Sequence, residues 1–202
     1  MVTAMEMRTD EGLRRVALAT GAVGLASGVS LALLYTVGEP FGTVNDLGNA
    51  AFGIGGAVLL ARIPPRSTAR TTIAAAGAAV SVAGTVAVVS RTTGWFFAGL
   101  LSSVGLACLG VALVGAARSE SARHWPSALR RAGVASGALM ATGFASLPAI
   151  ALGLDDAASA PGFAWVGSTS WAGGLAFIGW CFWLARTLHG GDAHAAAGLE
   201  VR

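Results

Sequence analysis

Charged side chains are scarce in this sequence, where they make up 11% of 202 residues, against roughly 25% in soluble domains. A soluble domain of this size needs more charge than that to cover its surface, whereas a surface that faces lipid has to be apolar. Hydrophobic residues make up 54% of the chain. The shortage of charge therefore excludes an ordinary soluble domain and favours a membrane protein.

Lysine is absent altogether, so all 13 basic residues are arginine. The arginines stand at the ends of apolar segments and form no single patch, so the net charge of +3 does not indicate a nucleic-acid partner. There are 2 cysteines, Cys108 and Cys181, and both fall inside apolar segments. A disulfide scaffold is therefore not supported.

Motifs of metal sites and of common catalytic sites are missing as well. The three histidines (His124, His189 and His194) lie away from any carboxylate cluster at helical spacing, so we predict neither a metal ion nor a cofactor. The sequence also has no Gly-x-Ser-x-Gly elbow and no His-Glu-x-x-His motif. These absences do not favour an enzyme.

Six apolar segments are each long enough to cross a bilayer core of about 30 Å, which needs roughly 20 helical residues. Arginines, prolines and acidic residues bound the segments, which run over residues 16–37, 43–61, 71–90, 95–117, 132–153 and 162–185. We therefore predict an all-α, polytopic membrane protein with six transmembrane helices. Its domain is expected to span residues 14–186, between an N-terminal tail (1–13) and a flexible C-terminal tail (187–202).

The distribution of arginine predicts the orientation. Only Arg91 lies on the side that also carries Glu39, Asp155 and Asp156, and the other arginines all lie on the opposite side. Because basic loops stay in the cytoplasm, both termini are predicted to be cytoplasmic. The use of arginine alone, with abundant alanine and glycine, is typical of a GC-rich bacterial genome, and we expect the bacterial plasma membrane.

The six spans follow one another as three hairpins that start and end on the arginine side. Arg14, Arg70 and Arg130 each precede a glycine by seven residues. The even-numbered spans close alike, as Leu-Leu-Ala-Arg, Gly-Ala-Ala-Arg and Trp-Leu-Ala-Arg. This pattern is consistent with a tandem repeat of one hairpin, although unrelated Ala/Gly-rich hairpins with cytoplasmic arginines would look similar.

One polar cluster lies inside a predicted span, where polar groups are expensive. Thr43, Asn45, Asp46 and Asn49 stand at the outer end of the second span. Asn45 and Asn49 are four residues apart and share a helix face. Thr43 and Asp46 fit a capping box, which leaves Asn49 unexplained. Two interpretations therefore stay open: capping with interhelical hydrogen bonds, or a ligand site.

Hydroxyl groups lie at a similar depth in two other spans, at Ser102 and Ser103 and at Ser168 and Thr169. If these spans converge with the second one, Asp46 gains polar neighbours around a small outward-facing pocket. Hydroxyls in membrane helices usually bond back to their own helix, so the convergence is a hypothesis. The ligand-binding residues predicted on this basis are Asp46, Asn45, Asn49, Thr43, Ser168 and Thr169.

Two further patterns concern packing. Glycines at five-residue intervals in the fourth span (Gly105, Gly110 and Gly115) drift around the helix and predict contact with more than one neighbour. The sixth span carries large rings on nearly all faces, namely Trp171, Phe177, Trp180, Phe182 and Trp183. These rings are expected to fill the bundle or to face lipid or a partner subunit, with a site for a hydrophobic ligand as the alternative.

Three functions remain open on the sequence alone. The first is binding or transport of a small or lipophilic molecule through the polar cluster. The second is a non-enzymatic accessory subunit of a larger membrane complex, with its partner protein at the sixth span. The third is an intramembrane enzyme that acts on a lipid or isoprenoid with Asp46 as the acid, although neither a second acid nor a metal site is evident.

Overall fold

The computed structural model describes residues 4–156 and 161–197 of the chain. Within these residues the fold is all-α, as the sequence predicts, with seven α-helices and two short 3-10 segments. The helices are α1 (Ala4–Thr36), α2 (Phe41–Arg62), α3 (Thr68–Val89), α4 (Trp95–Ala117), α5 (Ser127–Ala141), α6 (Leu147–Ala151) and α7 (Pro161–Ala197). The 3-10 segments are Ser121–His124 and Thr142–Ser146.

In the described part of the chain, 5 helical stretches are long and apolar enough to cross a membrane. They are Asp10–Thr36, Phe41–Arg62, Thr68–Val89, Trp95–Ala117 and Ser127–Ala151. Helix α7 is not among them, although it is long enough, because no stretch of it within the described residues combines sufficient length with sufficient hydropathy. A span needs roughly 20 residues, so the sixth span stays a prediction.

The fifth predicted span is not one continuous helix. Helix α5 ends at Ala141, a 3-10 segment follows over Thr142–Ser146, and α6 begins at Leu147. Pro148 lies in the first turn of α6, and its missing N–H cannot continue the α-helical hydrogen-bond ladder. The fifth predicted segment is therefore confirmed as long and apolar enough to cross a membrane, over Ser127–Ala151, and a 3-10 segment interrupts its α-helix.

Both predicted tails contain helix. Helix α1 begins at Ala4, inside the segment 1–13, and α7 continues to Ala197, well beyond residue 186. Residues 198–202 of the predicted C-terminal tail lie outside the described residues. The flexibility of this tail stays a prediction.

The helices form a closed ring. Each helix from α1 to α4 packs against the next long helix, α5 packs against α7, and α7 returns to α1. Helix α4 also contacts α2 and α7 across the ring and is the most buried of the five apolar stretches. The interior of the bundle is therefore built around α4.

Glycines on α4 let two neighbours approach closely. A Cβ added at Gly105 would lie 2.7 Å from the Gly77 carbonyl oxygen of α3, and one added at Gly110 would lie 2.5 Å from the Gly137 carbonyl oxygen of α5. A Cβ at Gly115 would meet nothing within 4 Å. The predicted contact of the α4 glycines with more than one helix is confirmed for Gly105 and Gly110.

Two rings of α7 fill the core. Trp180 is 2% exposed, and its Nε1 donates a hydrogen bond of 3.0 Å to the Leu129 carbonyl oxygen of α5. Its ring stacks on Phe177 with centroids 5.8 Å apart. Trp183, in contrast, is 42% exposed. The space-filling interpretation of the α7 rings is thus confirmed for Phe177 and Trp180.

A buried arginine donates hydrogen bonds to the backbone of the connection between α2 and α3. Arg70 is 7% exposed, and its Nη2 donates hydrogen bonds to the carbonyl oxygens of Ile63 and of Pro65, the latter over 2.8 Å. The Ser121 hydroxyl, in the connection between α4 and α5, donates a hydrogen bond to the carbonyl oxygen of Pro64. Arg70 therefore acts structurally, since it satisfies carbonyl groups of the turn between the two helices.

Candidate functional site

The predicted capping box at the start of α2 is not formed. Helix α2 begins at Phe41, its N-cap is Pro40, and no side chain makes a capping hydrogen bond. Thr43 and Asp46 therefore lie inside the helix, too late in the chain to cap it. The capping interpretation is wrong because the turn at Gly38 and Pro40 starts the helix earlier than the box requires.

Asn45 and Asn49 face α1, where both meet the buried hydroxyl of Ser27. The Ser27 Oγ lies 2.9 Å from Asn49 Oδ1, 3.2 Å from Asn45 Oδ1 and 3.0 Å from the Asn45 carbonyl oxygen. A Cβ added at Gly48, between the two asparagines, would lie 2.8 Å from the Ser27 Cβ. The close approach that this glycine permits explains the contact, and interhelical hydrogen bonding of the two asparagines is confirmed.

Asp46 is half-buried on the side of α2 next to α3. Its Oδ1 accepts a hydrogen bond of 3.4 Å from Asn45 Nδ2, and its backbone carbonyl oxygen accepts one of 2.8 Å from the Thr85 hydroxyl of α3. In the described residues, no group of three or more His, Cys, Asp and Glu side chains could hold a metal ion. The Asp46 carboxylate is thus bonded by a residue of its own helix, and its backbone carbonyl oxygen links α2 to α3.

The hydroxyls of α7 point away from Asp46. The Thr169 Oγ1 lies 3.0 Å from the Thr142 Oγ1, and the Ser170 hydroxyl donates a hydrogen bond of 3.0 Å to the Met140 carbonyl oxygen. Ser168 is exposed. Because α7 packs between α1 and α5, these residues meet α5 and the 3-10 segment after it, so the structure does not bring Ser168 and Thr169 to Asp46. Thr43 is exposed as well.

A small cavity lies between α1, α2, α3, α4 and α7. It offers about 30 Å³ to the centres of water-sized molecules, room for about two waters at the 10–15 Å³ that each requires. The residues that line it are Gly24, Asn49, Phe52, Ser81, Ser102, Leu106, Trp171, Gly174, Leu175 and Ile178. Among the residues predicted to bind a ligand, only Asn49 is in this set, together with Ser102 from the predicted hydroxyl neighbours.

Three polar groups on the cavity wall lack a protein partner. Among the described residues, the hydroxyls of Ser81 and Ser102 make no hydrogen bond, and Asn49 bonds only through its Oδ1, which leaves Nδ2 without an acceptor. Ser81 is only 3% exposed. Asn49 and Ser102 are only partly buried, and polar groups that border a cavity of this size without a protein partner bond to water or to a ligand. The cavity is therefore suited to an occupant that forms hydrogen bonds.

Ser27 and Ser81 were not predicted to belong to the site. Each is one of several hydroxyls in its span, beside Thr20 and Ser30 in the first span and Thr85 in the third. Nothing in the sequence distinguishes the two serines from these neighbours. The partners of each hydroxyl could not be read from the chain, because they depend on which helices are neighbours.

A larger apolar groove lies on the outer surface between α1 and α7. It offers about 400 Å³, and its lining residues are Leu25, Gly28, Val29, Leu31, Ala32, Tyr35, Trp171 and Leu175. Trp171 and Leu175 line both this groove and the cavity. The groove and the cavity are therefore adjacent spaces that share these two residues.

No family model, curated protein or solved structure matches this chain. The function is consequently argued from the geometry and chemistry of the cavity.

Proposed function

We propose that this chain is a six-span protein of a bacterial plasma membrane, built as three hairpins with cytoplasmic termini, and that it binds a small uncharged group in the cavity. Helix α7 supports the sixth span because it lies in the same ring as the five apolar stretches, between α1 and α5. The contacts of α1 with α2, α3 with α4 and α5 with α7 are those that three hairpins require, and the helices of successive hairpins also pack together. The one-sided distribution of arginine supports the orientation.

The depth of the cavity supports a role for its polar groups. Asn49 follows the start of α2 by eight residues, and Ser81 precedes the end of α3 by the same number. At the helical rise of 1.5 Å per residue, both lie roughly 12 Å from the outer helix ends. In a bilayer core of about 30 Å, that depth is close to the middle. Polar groups without protein partners at such a depth are expensive and commonly mark binding sites.

The lining residues restrict the chemistry of the ligand. The asparagine Nδ2 is a donor, and each serine hydroxyl both donates and accepts. No charged side chain is among the lining residues, so a charged ligand would lose its hydration without gaining a counter-charge. An uncharged group with hydrogen-bonding capacity fits best. The observation that carries this proposal is the meeting of the three partnerless groups on one small, partly open cavity.

The enzymatic alternative gains no support from the cavity. The Asp46 carboxylate is not among the lining residues, and proton transfer requires the acid within hydrogen-bond reach of the substrate. A binding function therefore accounts for the arrangement better than an intramembrane acid does.

Native mass spectrometry of the protein released from its own membrane tests the proposal. The double variant Ser81→Ala, Ser102→Ala removes two hydroxyls that bond no described residue, so the fold should persist. At about 1 kcal/mol for each lost hydrogen bond, the retained molecule should bind roughly thirtyfold more weakly. Ser30→Ala is the matched control, because the hydroxyl of Ser30 bonds only within its own helix.

The expected result is a bound small molecule in the wild type and in Ser30→Ala that is largely lost from the double variant. Equal retention by the double variant and the wild type would contradict the proposal. So would wild-type protein that retains no mass beyond water.

A further inference from the structure

The cavity and the outer groove are adjacent and share two lining residues of α7, Trp171 and Leu175. Gly24 lines the cavity and Gly28, one turn later on the same face of α1, lines the groove. Trp171 and Leu175 are also one turn apart. The same two helices, α1 and α7, therefore border both spaces.

The two helices separate toward the groove. A Cβ added at Gly24 would lie 2.7 Å from Ile178 Cγ1, so the helices are in tight contact beside the cavity. At Gly28 a Cβ would meet only the Leu175 Cδ2, at 3.7 Å. Leu175 itself is 53% exposed. The mouth of the groove is therefore open to the surroundings at Gly28 and closed at Gly24.

The chemistry of the two spaces is complementary. The groove has a volume of about 400 Å³, within the range of about 300–1,000 Å³ of ligand pockets, and its lining is aliphatic and aromatic. The cavity of about 30 Å³ carries the three partnerless polar groups and accommodates a group of about the size of one or two waters. Groove and cavity together match a long apolar chain with a small polar end.

We infer that the ligand is an uncharged single-chain amphiphile, such as a long-chain alcohol, that enters from the bilayer between α1 and α7. Its hydroxyl-sized head binds to Asn49, Ser81 and Ser102, and its chain lies in the groove. This inference rests on the proposed function and names the ligand class and the entry route. The head gains hydrogen bonds in the cavity, and the chain exchanges lipid contacts for contacts with the groove.

Photocrosslinking in phosphatidylcholine nanodiscs tests the inference with the full chain. The probe is hexadecanol with a diazirine in the middle of its chain. We expect labelled peptides from the groove, on α1 around Gly28 and on α7 around Trp171 and Leu175. Unlabelled hexadecanol should compete with the probe, and hexadecane, which lacks the head, should not.

A pair of glycine variants provides the matched control. Gly28→Phe places a ring in the groove and should reduce labelling at least tenfold. Gly115→Phe introduces the same ring at a glycine that also has open surroundings but lies on α4, away from the groove, and should leave labelling unchanged. Labelling that is equal in the two variants would overturn the inference.

The failure of this inference is distinguishable from failure of the proposed function. If hexadecane competes as well as hexadecanol, the groove takes hydrocarbon chains without a head in the cavity, and the inference is wrong. The molecule retained in native mass spectrometry would then still report on the cavity. The double variant Ser81→Ala, Ser102→Ala tests both proposals together. If it retains the molecule as the wild type does, and if hexadecanol competes with the probe as it does in the wild type, both proposals are wrong.

Discussion

Helices α4 and α5 approach each other closely at Gly110. The effect of alanine at this position can be compared with that of alanine at Gly115, an uncrowded glycine of the same helix. A Cβ added at Gly110 would lie 2.5 Å from the Gly137 carbonyl oxygen and 2.7 Å from the Met140 Cβ. A Cβ at Gly115, on the same helix, would meet nothing within 4 Å. Gly110→Ala and Gly115→Ala therefore make the same chemical change in a crowded and in an open place.

The magnitude follows from two opposing effects. Carbon contacts are optimal at about 3.5–4.0 Å, so the helices have to separate by roughly 1 Å at Gly110. Overpacking of this kind costs about 1–3 kcal/mol, and alanine recovers up to about 1 kcal/mol of helix propensity. Gly110→Ala should thus lower the free energy of unfolding by about 1–2 kcal/mol. Gly115→Ala should raise it by up to about 1 kcal/mol.

Reversible unfolding in mixed micelles, followed by tryptophan fluorescence during titration with SDS, measures both variants against the wild type. The expected order of stability is Gly115→Ala, then the wild type, then Gly110→Ala. Equal shifts for the two variants, or a stabilised Gly110→Ala, would refute the close packing of α4 against α5. Gly137→Ala is the reciprocal change, since a Cβ there would lie 2.5 Å from the Gly110 carbonyl oxygen.

Two further predictions concern the core and the topology. Trp180→Phe removes the hydrogen-bond donor to the Leu129 carbonyl oxygen and should lower the free energy of unfolding by about 1–3 kcal/mol in the same assay. Trp183→Phe, at a half-exposed ring, should change the stability little. Equal losses of stability in the two variants would contradict the buried hydrogen bond. In a chain whose own cysteines are replaced by alanine, Thr92→Cys should react with an impermeant maleimide in intact cells, and Glu120→Cys only after permeabilisation. Labelling of both from the same side would overturn the proposed orientation.

Helix positions were largely predictable from the sequence where polar residues bound an apolar segment. The segment 95–117 coincides with α4, because Gly94 and Arg118 end the run on either side. The fifth segment was less predictable, because its mean hydropathy of 1.5 is that of a membrane span although Pro148 interrupts it. A hydropathy pattern reports whether a segment suits lipid, and the regularity of its backbone depends on individual residues such as proline.

The candidate site was predictable in part, for a reason of geometry. Spacing places Asn45 and Asn49 on one helix face, and the structure has them there. Spacing does not say which helix that face meets, so Ser27 was missed and Thr169 was assigned to the wrong neighbours. The cavity depends on five helices at once, and no local pattern contains that information.

The position of α7 in the ring has a consequence for biosynthesis. Helix α7 packs against both α1 and α5, so the inner face of α1 stays partly uncovered until α7 has been made. Because chains are synthesised from the N-terminus, the cavity begins as a cleft along α1 and becomes enclosed only when α7 has left the ribosome. A nascent chain that stalls before α7 would expose Gly24 and Phe52 to lipid, and proteases that survey the membrane could recognise it by that open edge.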